Sequence, residues 1–429
     1  MTPLKTNPQP RRRMRIFAAL LALLVAAPAA GQHLVVPMDE AQANHLRAYG
    51  LTYWALEQGL EAEWLLNYRA GSFLLPDRAD VRREAALRGV TVEQEGAARV
   101  AGIRAEVEGA NMETVILEKA PDIAIYSPAA ADPWDDAVTL ALTYAEIPYD
   151  EVWDPEVLQG RLPDYDWLHL HHEDFTGQYS KFFISYAGAP WLQEEVARNE
   201  AMAERFGLPH APALKKGVAE GIREYVLRGG FLFAMCTATE TLDLALAAAG
   251  VDIAAPFADG TPMDADATAR MDWERTLAFQ SAVLQANPGV NAFSDIDGHQ
   301  VNTPWRQQLG AFTLFEFAAK FDPVPSMLVQ NHETVIPDFY GLTTSFRRDR
   351  LKPGVVVLAE EEGAPWVKYV HGTLGQGTWT FLGGHDPEDP QHKIGDAPTD
   401  LALHPHSPAY RLILNNVLFP AARKKTLKT

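Results

Sequence analysis

Short apolar runs alternate along this chain with apolar stripes at helical spacing, an order that predicts strands and helices in turn. His33 to Asp39 (HLVVPMD) reads as a strand, and Glu40 to Gly59 as a helix with Leu46, Tyr49, Tyr53 and Leu56 on one face. EAEWLLNYR and GSFLLP then read as strands, Asp77 to Arg88 as a helix, and GVTVEQE as a further strand. Asn111 to Ala120 reads as a linker. A second run begins with the strand Asp122 to Pro128, followed by a helix from Trp134 to Glu146 that stops before Pro148. YDEVWD and YDWLHLHH (Tyr165 to His172) supply two more strands. Both runs place Leu-Thr-Tyr before a short connection and a strand ending in Trp, a faint internal likeness.

Further on, Leu214 to Leu227 suits a helix ended by Gly229-Gly230, and Phe231 to Cys236 is a fully apolar strand of the buried parallel type. A helix from Thr241 to Ala249 follows. Pro256 to Arg350 is mixed in character, rich in Asp, Phe and Pro, and reads as an insertion on the main sheet. VVVLAEE, WVKYVHG and GTWTFLGG resume as strands, the last two joined by the turn Leu374-Gly375-Gln376-Gly377, and Pro408 to Phe419 closes as a helix. The alternation predicts an α/β fold with a parallel sheet covered on both faces, where ligands collect at the carboxyl ends of the strands.

Composition narrows the setting. Arg11-Arg12-Arg13-Met14-Arg15 followed by IFAALLALLVAAPAA has the charged head, short apolar run and small-residue end of a secretory signal, with maturation expected near Gly31 or Gln32. The apolar run is too short to predict a membrane span, and no cysteine follows it to carry a lipid. The expected location is secreted or periplasmic. A net charge of -19 opposes nucleic-acid binding, and the basic tail RKKTLKT reads as a solvated terminus. With a single cysteine no intrachain disulfide is available, so Cys236 is a free thiol. The predicted divisions are a signal at 1–31, an α/β unit at 32–118, a main α/β domain at 119–255 and 351–420, an insertion at 256–350, and the tail 421–429.

Cys236 reads two ways, as a small core hydrophobe or as a nucleophile at a strand-to-helix elbow. An elbow needs small neighbours two residues away, here Ala234 and Ala238, and the positive end of the following helix would lower the thiol pKa. In WLHLHHEDFTGQY, His169 and His171 share one face of a strand while His172, Glu173 and Asp174 follow at its end. Histidines on an interior strand are commonly satisfied core groups. Three of them with two carboxylates also form a donor set for zinc, to which the C-terminal region adds His385, Asp386, Asp389, His392, His404 and His406. Neither HExxH nor paired CxxC spacing occurs, so His169, His171 and His385 are metal candidates by composition alone, and the expected cofactor is none. Gly375 and Gly377 read as a hairpin turn, since no Lys-Ser/Thr follows as in a phosphate loop. Trp134, Trp153, Trp167 and Trp379 read as core or pocket wall. Asn331-His332-Glu333 and Ser345-Phe346-Arg347-Arg348 sit in the insertion, within possible reach of a site.

Gly229-Gly230, an apolar strand, the Cys236 elbow and the late segment LGQGTWTFLGGHDPED together resemble class I glutamine amidotransferase-like proteins, over Asp122 to Gly250 and Val355 to Phe419. That resemblance implies a parallel doubly wound, flavodoxin-like sheet carrying an N-terminal α/β unit and an inserted region. It implies Cys236 as nucleophile and His385 as base. The family's acidic partner falls at Pro387 here, which leaves Asp386 or Glu388 to orient the ring. Backbone N–H groups after Cys236, beginning at Thr237, would hold an oxyanion, with His171, His172 and Glu173 in the substrate region. Over nearly its full length, in PWDDAVTLALTYAEIPYD, YDWLHLHHEDFTGQY, GGHDPED and YRLILNNVLFPA, the chain resembles secreted bacterial proteins labelled asparagine synthetase B. It has neither a cysteine near its expected mature start nor an SGGxD pyrophosphate loop, so the label implies kinship without that mechanism. The expectation is a secreted thiol-dependent hydrolase of an amide or related C–N bond in a small molecule or peptide. Its rivals are a noncatalytic envelope ligand-binding protein and a metal-dependent hydrolase using the His-rich strand.

Overall fold

Short turns and left-handed residues, more than the long connections, decide how the strands pair. The computed structural model describes residues 32–128, 136–298, 311–322, 333–337, 341–389 and 396–423. The expected signal, Trp134, Asn331, His332, His392 and nearly all of the basic tail lie outside the described residues.

A five-stranded sheet is built from β1 (His33–Val36), β2 (Ala62–Leu66), β3 (Ser72–Pro76), β4 (Glu93–Glu95) and β5 (Glu113–Leu117), in the order β4-β1-β3-β2-β5. Every pairing in it is antiparallel. Side chains alternate across it: Leu34, Val36, Trp64 and Phe73 join the main core, while Val35, Leu65 and Leu74 meet Val100, Ile103 and Val107 of the helix Ala97–Gly109. The stretch expected as a linker, Asn111 to Ala120, holds β5, whose Trp64↔Val115 register against β2 closes one edge.

The larger sheet adds β6 (Ile123–Tyr126), β7 (Asp150–Val152), β8 (Trp167–Leu170), β9 (Phe231–Met235), β10 (Ala311–Leu314), β11 (Val335–Pro337), β12 (Phe346–Arg347), β13 (Val356–Glu361), β14 (Trp366–Leu374) and β15 (Gly377–Leu382). Its order is β11-β10-β13-β14-β15-β9-β8-β6-β7, with β12 on β14. Only the span from β15 to β7 is parallel; β10 to β15 pair antiparallel. The expected parallel doubly wound, flavodoxin-like sheet is therefore incorrect: one sheet is wholly antiparallel and the other is mixed. Physically, the Gly375-Gln376 turn, with Gly375 at φ +62, folds β15 straight back on β14, and residues from the 256–350 region extend that antiparallel end.

Within the parallel span, period-two alternation separates two cores. Phe231, Phe233 and Met235 face the helices Ala137–Ala145 and Pro408–Leu418, while Leu232 and Ala234 face Ala211–Leu227 and Cys236–Ala247. The C-terminal helix ties the sheets together with buried polar groups. Arg411 donates to the Tyr49 hydroxyl at 3.0 Å, Tyr49 donates to Asn415 at 2.5 Å, and Asn416 donates to the Tyr369 hydroxyl at 2.7 Å. Among the described residues no helix is long and apolar enough to cross a membrane.

Candidate functional site

Parallel register brings the chemistry-bearing residues to one sheet edge. Leu170 pairs with Ala234, and Met235 pairs with Leu382, so His171, Cys236 and the Gly383-Gly384-His385 turn all leave the sheet at the same level. Cys236 begins its helix at φ +47, a left-handed conformation that non-glycine residues rarely adopt and that an abrupt strand-to-helix elbow requires. Ala238 lies directly beneath, its N–H donating to the His171 carbonyl at 3.3 Å.

The Cys236 side chain is sealed, with the residue only 1% exposed. Its Sγ lies 3.4 Å from the Thr237 hydroxyl and receives backbone hydrogen bonds from Leu342, Thr343 and Thr237. Burial nonetheless pushes the thiol above its ordinary range, outweighing these hydrogen bonds, so the expectation of a lowered thiol pKa is corrected. The seal is Gly341, at φ +153. A Cβ placed there would sit 2.8 Å from Cys236 Sγ and 2.8 Å from His385 Cδ2, so those two atoms lie within twice that distance of each other.

His385 is partly exposed, and its Nδ1 lies 2.6 Å from a carboxylate oxygen of Asp386, although the two form no directed hydrogen bond. Glu388 turns away at φ +67 and faces His404 at 3.3 Å, leaving Asp386 as the acid beside the ring. His171 stacks edge-on to His385 with centroids 5.6 Å apart, and His172 lies 6.4 Å from the same ring. Glu173 accepts the His171 backbone N–H at 2.7 Å, and Asp174 accepts the N–H groups of Thr176, Gln178 and Ser180, organising the turn that follows. Behind them Asp136, His169 and His171 present one ligand atom each within 4.8 Å of one another, the group among the described residues best able to hold a metal. His385 is not part of it. Burial pushes His171 well below the ordinary imidazole range, with Asp136 opposing. Although burial pushes the Asp136 carboxyl up, the facing His171 and His169 rings and the helix N–H groups pull it well below the usual range.

Four participants escaped sequence reasoning. Asp136 carried a helix N-cap signal, Asp before Ala137, but nothing that pointed to His169. Gly341 to Thr343 came from a stretch without periodicity. Glu240, one turn after Cys236, is buried and accepts the hydroxyls of Ser294 at 2.6 Å and Thr343 at 2.9 Å, so it fastens the covering segment to the helix of the thiol. Asp243, on the next turn, does the same for Leu277, Ala278 and Phe279 through their N–H groups. A small solvent-open cleft with room of about 60 Å³, walled by Tyr126, Trp153, Tyr179 and Trp191, reaches His172 and Glu173 but is not lined by Cys236 or His385.

Replacing Gly341 tests the seal. In Gly341→Ala the new methyl group has no room and the backbone is strained, so stability should fall by about 1–3 kcal/mol. Native-state alkylation of Cys236 by iodoacetamide should accelerate about tenfold or more as the segment lifts. Unchanged labelling would mean that this segment does not shield the thiol in solution.

No protein-family model matches the chain, and no curated protein matches it. Among solved structures, two proteins of Salmonella typhimurium described as cytoplasmic are similar at 11% and 12% identity. The likenesses cover 71% and 70% of this chain and all of theirs, each with a TM-score of 0.34. A GH42 beta-galactosidase from G. stearothermophilus is similar at 11% identity over 63% of this chain and 28% of its own, with a TM-score of 0.26. Scores this low transfer neither fold nor function to this chain.

Proposed function

We propose that this chain is a secreted hydrolase that uses the Cys236 thiol to cleave an amide or related C–N bond. The observation that supports it most is the meeting, across Gly341, of a left-handed elbow cysteine with His385. In the reaction Sγ bonds to the carbonyl carbon as the C–N bond breaks, and His385 carries the thiol proton to the departing nitrogen. Water, losing a proton to the same ring, then cleaves the thioester to the acid and restores the thiol. This reading assigns the oxyanion to the Thr237 N–H, which meets Sγ, and the orienting of the imidazole to the nearby Asp386 carboxylate. Because burial raises the thiol pKa, the thiol has to be deprotonated by His385 during attack, in place of a standing thiolate. Entry of substrate requires Gly341 to Thr343 to lift. The leader-like start supports export, and the resemblance to secreted proteins labelled asparagine synthetase B accompanies this reading without supplying its chemistry.

A noncatalytic ligand-binding role is favoured by one observation, the open aromatic cleft that stops short of the thiol. One experiment separates the two. The native protein is incubated with glutamine, asparagine and short N-acyl peptides, amine release is followed, and acid-quenched samples are searched by mass spectrometry for an acyl group on Cys236. An adduct at Cys236 with amine release supports hydrolysis. No release and no adduct, with Cys236 alkylated only after unfolding, would leave the thiol as core and the cleft as the working surface.

A further inference from the structure

His169 and His171 project from the same face of β8 and its continuation, and Asp136 caps the helix Ala137–Ala145 opposite them. Nδ1 of His169 lies 3.1 Å from the Phe233 carbonyl oxygen. A carbonyl only accepts, so Nδ1 holds the proton, and in a neutral ring Nε2 presents its lone pair. That lone pair faces His171 Nδ1 at 3.3 Å and Asp136 Oδ1 at 3.5 Å, and the last two are 3.7 Å apart. Oδ1 also accepts the Val138 and Thr139 N–H groups, so without an ion a proton on His171 Nδ1 can serve the His169 lone pair. What points to a cation is the convergence of the three donor atoms.

The distances match one class of ion. The in-plane centre of the three atoms lies about 2.0 Å from each, and an ion raised about 0.5 Å toward a fourth ligand lies about 2.1 Å from each, the length of a zinc–nitrogen or zinc–carboxylate bond. Three ligands of a tetrahedral ion stand about 3.4 Å apart, and three facial ligands of an octahedral ion about 3.0 Å. The observed 3.3, 3.5 and 3.7 Å fit the first. The Phe233 carbonyl fixes His169 as an outer contact, and the Val138 and Thr139 N–H groups hold Asp136 through Oδ1 itself, at 2.7 and 3.1 Å, so the ligand oxygen is fixed in place and shared with the helix end. His171 Nε2 is buried and has no hydrogen-bond partner among the described residues. An ion on Nδ1 would leave the proton on that nitrogen, making it an N–H donor beside His385 in place of a bare acceptor.

We propose that Asp136, His169 and His171 bind one zinc ion, with the fourth position left to water or another ligand. This site is separate from the thiol, so it stands or falls without the hydrolase reading.

The test uses the tag-free protein stripped with chelator and titrated with zinc alone, followed by calorimetry and by elemental analysis after desalting. One equivalent of zinc per chain is expected, with a rise in melting temperature. Asp136→Asn keeps a good helix cap but removes the anionic ligand, and His169→Gln removes a nitrogen; each should weaken zinc binding at least about 100-fold. Cys236→Ser should keep the full equivalent. Substoichiometric zinc in the wild type would overturn the proposal. So would zinc that persists in Asp136→Asn and disappears in Cys236→Ser, which would move the ion to the thiol and His385.

Discussion

Cys236→Ala and His385→Ala should each lower kcat/KM for the amide found by adduct screening by at least about 10³-fold, and the double variant should be no worse than either. The equality is the informative part. Thiol and imidazole act as one unit, since the proton that leaves Sγ during attack is the one His385 delivers to the nitrogen, so removing either forfeits the same step. Both side chains crowd the Cβ position of Gly341, each within 2.8 Å of it. Asp386→Asn should cost less, because the carboxylate touches the ring at 2.6 Å without a directed hydrogen bond and orients it only by charge. Glu388→Gln should leave the rate unchanged, since that side chain faces His404. Additive losses in the double variant would show that the two residues contribute independently, and unchanged rates in both single variants would remove the thiol from the mechanism.

The elbow and the imidazole were legible because both are local. An apolar strand, small residues two positions either side of Cys236 and a helix soon after announced a turn there, although the helix starts at Cys236 and not at the expected Thr241, and a glycine hairpin ending in His385 brings its next turn to the same edge. Pairing direction was less legible. The Gly375 turn announced one antiparallel pair, yet nothing in the apolar runs distinguished β13 from a parallel strand, and β5 was hidden because its pattern of partly buried residues lacks a clean alternation. Contacts made across the fold left no sequence trace at all. Asp136 meets His169 only because the Ile123↔Trp167 register sets β6 beside β8, so that the helix after β6 starts over the end of β8. Gly341 is significant only through what it would collide with. Glu240 lay just before the expected helix with nothing to mark it, and only the fold shows that it is buried.

That burial gives the second large effect. Glu240 is 1% exposed, and burial pushes its carboxyl up to about 7, against the pull of the Ser294 and Thr343 hydroxyls and of Lys181. In the unfolded chain the same group titrates near an ordinary glutamate value, about 4.3. A raised acid stabilises the native state fully below the unfolded value, and that contribution is lost as pH rises through the folded value. Between about pH 4 and pH 7 the native protein should thus lose roughly 3 kcal/mol through this group, then level off. Asp243, pushed up to about 6 by burial, has the same sign, so the slope must be assigned by difference. Glu240→Gln is neutral at every pH. Its amide carries two N–H groups where the neutral acid carries a single O–H, so one more buried donor lacks a partner, which should make it the less stable protein near pH 5 by about 1 kcal/mol. Near pH 8 the order should reverse, with the variant ahead by roughly 2 kcal/mol, because only the wild type then holds a buried charge. Urea midpoints for both proteins at intervals from pH 5 to pH 8 decide it. Crossing curves assign the titration to Glu240, whereas parallel curves would mean that its carboxylate is already ionised at pH 5 and that water or a cation reaches the segment covering Cys236.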